Sequence, residues 1–330
     1  MKLLSNTLFY SIFALCLVAL PVQAGTIVTI ASENDSYGAG TDKNYTNGAL
    51  LSVLKEGQDV PAILEPIMRK LPNYSSDEKK VVSFTVGQNM YTPEDIARQL
   101  PDSMDRPYAG MLYASMGATF VEKEKVVHDY ELLAGIVGPA SLAEPTQKFV
   151  HRIKGSQRPN GWSRQLHNEP VFMASYRKRL PGWKQLKLPV GKLSFMPHGG
   201  GSLGNVMTHA SAGGILSYSP QDAPLVDIPA LVRPSLPGTG YFESSGHFTW
   251  QLFTGAEGRY VIRNLFLDGN SFHHGGARVE KKNFVFDGVA GISAIYKNWK
   301  LGYTTVYRSK EFYGQKGASL FGSLTLSRRF

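Results

Sequence analysis

Two stretches of the chain hold side chains whose types and spacing suit chemistry. The first runs Glu33-Asn34-Asp35, then Asp42, Asn44 and Tyr45-Thr46-Asn47-Gly48. Oxygen donors at this density suit a hard cation such as Ca²⁺, which takes about 6–8 oxygens. The spacing lacks the later Glu of an EF-hand loop, and the same residues also read as a turn solvated by water. The second stretch holds His151, with Gln147 one turn before it. A neutral imidazole can act as general base toward water or a hydroxyl, or can be a plain hydrogen-bonded histidine. A nucleophile has no signature. There is no Gly-x-Ser-x-Gly elbow and no phosphate loop, Gly199-Gly200-Gly201 opens no helix, and His273-His274 lacks a second ligand pair. A hydrolase built from these parts would activate water with histidine and a metal rather than form an acyl-enzyme.

The elements that must position these groups have a period of two. Residues 81–91 read VVSFTVGQNMY, with Val82, Phe84, Val86 and Gln88 on one face. Further runs of this kind cover 26–32, 46–55, 108–121, 126–137, 171–180, 190–198, 206–218, 247–262, 284–296, 299–308 and 319–330, which makes 12 candidate strands. An even count is what a single-chain bacterial outer-membrane barrel requires. The last run alternates Leu320, Gly322, Leu324, Leu326 against Phe321, Ser323, Thr325, Ser327 and ends on Phe330. Two segments break the pattern. In 58–71, Ile63, Leu64, Ile67, Met68 and Leu71 suggest a short amphipathic helix or loop. In 138–165, Leu142, Thr146, Phe149, Val150 and Ile153 give a helical face, and Ser141 with Glu144 resembles a capping box. Residues 221–246, rich in Pro and Gly, read as a long loop. The expected fold is all-β: a 12-stranded antiparallel transmembrane β-barrel with short helical excursions in its loops.

Composition agrees. The chain has 330 residues, 42% hydrophobic and 18% charged, so disorder is excluded and the charge is low for a soluble domain. Residues 1–24 carry Lys2, an apolar run from Leu8 to Leu20 and Val22-Gln23-Ala24, and read as a signal peptide before a single domain at 25–330. Cys16, the one cysteine, falls inside it, which excludes a disulfide framework or thiolate site in the mature chain. No later apolar run is long enough for a spanning helix. The net charge of +9 points to an anionic partner.

The runs Glu33-Asn34-Asp35, Tyr45-Thr46-Asn47-Gly48, Asp105-Arg106-Pro107-Tyr108-Ala109-Gly110, Gly138-Pro139-Ala140-Ser141, Gln147 to His151, Gly161-Trp162 and Asn168-Glu169-Pro170 resemble, in order, the lipid A deacylase family of Gram-negative outer membranes. The resemblance implies a 12-stranded outer-membrane barrel and Ca²⁺-dependent hydrolysis of the ester that holds the 3′-acyloxyacyl group on lipid A. It implies lipopolysaccharide and outer-membrane lipids as partners rather than nucleic acid, and a monomer. By residue, it implies His151 as catalytic base, Asn34 and Asp35 as the family's Asn-Asp pair, and Thr46 as its threonine. Asp35 and Thr46 are then metal ligands. Gln157 stands where the best-known members place a Glu, so it is a neutral ligand or is replaced by Glu144 or Glu169. Gln147 and Arg98 are candidates for holding the substrate. A non-enzymatic barrel (channel or lipid-binding) and an outer-membrane phospholipase with a Ser-His-Asn arrangement are the alternatives.

Overall fold

Alternation dictates a sheet with one apolar face and one mixed face, and such a sheet hides its edges by closing on itself. The computed structural model describes residues 25–38, 44–57, 65–74, 79–123, 125–223, 226–229, 231, 239–273 and 276–330. The expected signal peptide, Asp42, Ile63, Leu64 and His274 lie outside them.

The strands are β1 (Thr26–Asn34), β2 (Asn44–Glu56), β3 (Lys79–Thr92), β4 (Ala109–Glu122), β5 (Val126–Val137), β6 (Glu169–Arg179), β7 (Lys184–Leu188), β8 (Gly191–Gly204), β9 (Met207–Ser219), β10 (Ser245–Asn264), β11 (Phe284–Lys297), β12 (Trp299–Arg308) and β13 (Ser319–Arg329). Neighbours pair antiparallel, β6 pairs with β8, and β13 pairs with β1. The result is a closed ring of 12 strands, as the sequence predicts. β7 is an addition to that count, a short exposed strand paired only to the start of β8.

The two faces separate cleanly. On β4, Ala109, Met111 and Tyr113 join the lumen core, together with Leu133 and Val137 of β5 and Val171 and Met173 of β6. Their neighbours Leu132, Phe172, Leu203, Leu252, Ile292 and Leu301 are exposed on the outside. Aromatic side chains mark both ends of this outer belt. Tyr260 and Phe284 pair near one rim, and Phe248 and Tyr296 stand near the other. An apolar band between aromatic girdles is the surface a barrel turns to lipid. No helix among the described residues is long and apolar enough to cross a membrane.

The lumen is filled. Leu265 and Phe266, from the short helix Leu265–Asp268 after β10, enter from one rim, and Phe266 stacks on Tyr91 with ring centroids 4.0 Å apart. Ile228 and Leu231, from the β9–β10 connection, join the same core. Buried ion pairs need more than one partner to offset desolvation. Accordingly, Asp287 accepts from Arg259 at 2.7 Å and Arg308 at 2.9 Å. Asp227, beside Ile228, accepts from Arg179 Nη1 at 2.8 Å and Thr239 N at 2.9 Å. Burial pushes the Asp227 carboxyl up, but Arg179 and the Thr239 donors outweigh it and hold the group below the ordinary carboxylate range.

One excursion folds back over the outside of the wall. The helix Ala143–Lys154 follows a 3-10 turn, Pro139–Ser141, and the segment packs on the outward residues of β3 and β4. The expected capping box does not form. Leu142 takes the cap position with φ 60°, and the Ser141 hydroxyl donates instead to Gly138 O at 2.6 Å. Gln88 Nε2 of β3 donates to Ser141 O at 2.6 Å. Met90, Ile96, Tyr108, Ala143 and Trp162 close into a separate cluster under the helix. Gly110 of β4 makes this docking possible, because a Cβ there would collide with Ala143 Cβ and Ser141 Oγ.

Candidate active site

Three outward features at one rim meet the inner face of the helix Ala143–Lys154. The first is the end of β1. Alternation turns Glu33 inward, where its carboxylate accepts from Tyr45 OH at 2.8 Å, and turns Asn34 outward. Asn34 caps the 3-10 turn Asp35–Tyr37: its Oδ1 accepts from Ser36 N at 2.8 Å and from the Ser36 hydroxyl. With the oxygen engaged, the amide Nδ2 is the group Asn34 has to offer a ligand. Asp35 is 2% exposed, a carboxylate held inside the rim.

The second feature is a bulge in β2. Tyr45 pairs with Tyr91 and Asn47 with Met90, so Thr46 is an extra residue in the ladder. A bulge re-aims a side chain that strict alternation would send elsewhere. Thr46 is thereby buried on the outer side, with Oγ1 2.6 Å from Thr92 Oγ1. Asn47 lies across from Asn34 in the ladder.

The third feature is the helix. Ala143, Gln147 and His151 recur at every fourth position and form its buried face. His151 Nδ1 lies 2.5 Å from Gln157 O. A backbone carbonyl only accepts, so Nδ1 carries the hydrogen and the neutral ring holds its basic lone pair on Nε2. Gln147 Oε1 accepts from Trp162 Nε1 at 2.7 Å. That contact fixes the amide. Its Nε2 is buried without a hydrogen-bond partner among the described residues.

These parts enclose a cleft of about 180 Å³ lined by Asn34, Thr46, Asn47, Gln147, His151 and Lys154, among others. The structure thus unites four sequence-predicted residues, Asn34, Thr46, Gln147 and His151, with Asp35 adjoining Asn34. It places the others apart. Gln157 turns its side chain to the surface and serves His151 through its carbonyl. Glu144 pairs with Lys148 on the helix. Glu169 receives the backbone N–H groups of Ser271 and Phe272 in another connection. Arg98 is exposed in the β3–β4 connection and does not line the cleft. Asn47, from the same oxygen-rich run as Thr46, joins the lining, as do Ser36 and Lys154, which the sequence motifs do not mark. The signal for Lys154 was present in its position one turn after His151.

Chemically, the cleft offers one oriented imidazole, the three carboxamides of Asn34, Asn47 and Gln147, hydroxyls and a lysine. Its oxygen donors are hard, and the buried Asp35 carboxylate stands next to it in sequence, after the lining residue Asn34. No group of three or more His, Cys, Asp or Glu side chains is gathered among the described residues.

The chain was compared with known proteins. Its structure superposes on LpxR from Salmonella typhimurium with a TM-score of 0.74 at 17% identity, covering 92% of this chain and 100% of that one. The score falls to 0.41 at 10% identity for the β-domain of the Bordetella autotransporter BrkA, covering 93% of this chain and 100% of that one. It is 0.39 at 9% identity for the NalP translocator domain from Neisseria meningitidis, covering 99% and 96%. No curated protein matches by sequence. The family described as outer membrane protein LpxR matches residues 8–330. With nearly the whole sequence matched and the barrel shared, the chain belongs to the outer membrane protein LpxR family, the lipid A deacylase family that its motifs resemble.

Proposed function

We propose that the protein is a carboxylic ester hydrolase that removes the 3′-acyloxyacyl group from lipid A of lipopolysaccharide, with His151 as the base. One observation carries this reading: the tautomer of His151 is set by Gln157 O, so its basic nitrogen belongs to a cleft on the lipid-facing side of the wall. A lipid ester reaches such a cleft while its chains stay in the bilayer. His151 Nε2 takes a proton from a water that attacks the ester carbonyl. The carbonyl π pair moves onto oxygen, and the Asn34 and Gln147 amides are the donors placed to meet that charge. Collapse breaks the bond to the sugar oxygen, which leaves with the proton from His151. The products are a fatty acid and a free sugar hydroxyl.

The donor set fits Ca²⁺ in kind, being all oxygen with one buried carboxylate. Asp35, buried next to the lining residue Asn34, would hold it with Thr46 and Asn47; Gln157 and Glu144 are less suited, since Gln157 is exposed and Glu144 is paired with Lys148. When bound, calcium supplies positive charge near the developing oxyanion. Lys154 replaces Arg98 as the cation best placed for the anionic headgroup. A channel is disfavoured by the side chains that fill the lumen from both ends.

The test is the lipid A mass spectrum of cells expressing the parent, His151→Ala or Asp35→Ala. Loss of the acyloxyacyl mass is expected with the parent alone. Unchanged deacylation in His151→Ala overturns the base assignment, and release of fatty acid from phospholipid but not lipid A overturns the substrate.

A further inference from the structure

Helix faces usually sort as apolar inward and polar outward. The helix Ala143–Lys154 reverses this. Its docked face is Ala143, Gln147 and His151. Leu142, Phe149 and Ile153, at one edge, are 56%, 53% and 48% exposed. At about 100° per residue, Glu144, Lys148 and Arg152 fall on the other edge, roughly 120° from the apolar stripe. A helix pressed against a wall by one face therefore shows hydrocarbon on one flank and charge on the other.

The wall beside it is the lipid-facing belt. Gln88 of β3 holds the helix segment through Ser141 O. The next outward positions along that strand are Val86 and Phe84, both exposed. Leu142, the first residue of the apolar flank, directly follows Ser141 and so starts that flank beside a surface already turned to acyl chains. Thr146 and Val150 line the cleft and lie between this flank and the His151 face.

We propose that Leu142, Phe149 and Ile153 are an interfacial anchor, seated in the upper acyl region of the leaflet that meets this rim, while Glu144, Lys148 and Arg152 stay at headgroup level. The cleft then opens sideways into the acyl layer past Thr146 and Val150. This goes beyond the esterase reading and does not need it.

Depth-resolved quenching tests the anchor. In full-length protein carrying Cys16→Ser, single variants Phe149→Cys, Ile153→Cys and Arg152→Cys are labelled with bimane. Each is reconstituted in phosphatidylethanolamine–phosphatidylglycerol vesicles. Labels at 149 and 153 are expected to be quenched by lipid bearing a nitroxide on its upper acyl carbons, several-fold more than by aqueous iodide. The label at 152 should show the opposite preference. Iodide quenching at 149 and 153 as strong as at 152 overturns the proposal, and so does nitroxide quenching equal at all three. Should one labelled variant fail to insert, the other stripe position gives the same reading. No ester is cleaved in the measurement, so its failure is separate from failure of the proposed activity.

Discussion

Gly110→Ala is the substitution that most directly separates the site from the barrel that carries it. The added methyl would stand less than 3.0 Å from Ala143 Cβ and Ser141 Oγ, where ordinary contacts begin near 3.4 Å. Neither neighbour is a flexible tip. Ala143 is the first residue of the helix, and Ser141 is tied by its hydroxyl to Gly138 O and by its carbonyl to Gln88. The helix start must therefore retreat from the wall. A retreat on the order of 1 Å is the scale at which misplaced groups lose roughly 100-fold in rate. The barrel should hold, because alanine suits a strand at least as well as glycine and Gly110 keeps its ladder partner Met90. The assay is lipid A deacylation in membranes, read by mass spectrometry, with the heat-dependent gel shift of the folded barrel as control. Gly258→Ala, where a Cβ meets nothing within 4 Å, should match the parent in both. A folded Gly110→Ala protein with activity within about threefold of the parent would refute the argument that close docking sets the cleft.

Three further outcomes follow from the same geometry. Trp162→Phe removes the donor to Gln147 Oε1, a neutral hydrogen bond that contributes about 1 kcal/mol; the amide is freed, and kcat should fall roughly tenfold with little change in KM. Chelation with EGTA should abolish lipid A deacylation and added Ca²⁺ restore it; full activity in chelator would remove the metal from the proposal. Asp227 titrates below its unfolded value, so the stability it lends is present above about pH 4 and is lost as pH falls through the folded value. Thermal unfolding of the parent should therefore weaken on acidification, and Asp227→Asn should be weaker at neutral pH and flatter across the acid range.

Much of the fold was legible because lipid and lumen impose one rule on every strand. The runs 126–137 and 299–308 coincide with β5 and β12 to the residue. β7 escaped notice because five residues between Pro181-Gly182 and Pro189 carry no sustained alternation. The helix was legible in extent but not in orientation. Its apolar residues would face a protein core in a soluble domain, whereas here the core-facing side bears Gln147 and His151. The family motifs, rather than residue type alone, led to Asn34, Thr46 and His151, which the fold brings to one cleft. The bulge that turns Thr46 toward the cleft, and the carbonyl that fixes His151, are backbone facts without a residue signature.

The pairing of β1 with β13 has a consequence in time. Thr29 and Ser327, hydrogen-bonded across that seam, are separated by 298 residues of chain. Contacts this distant in sequence form late, since the whole intervening loop must be closed first. Asn34 and Asp35 stand at the end of the strand that waits for this closure, with Asn34 set against Gly322. A chain in transit therefore carries every residue of the cleft without the cleft. Competence arrives in one step with the last strand, when the cylinder shuts and the protein is already in the membrane that holds its substrate.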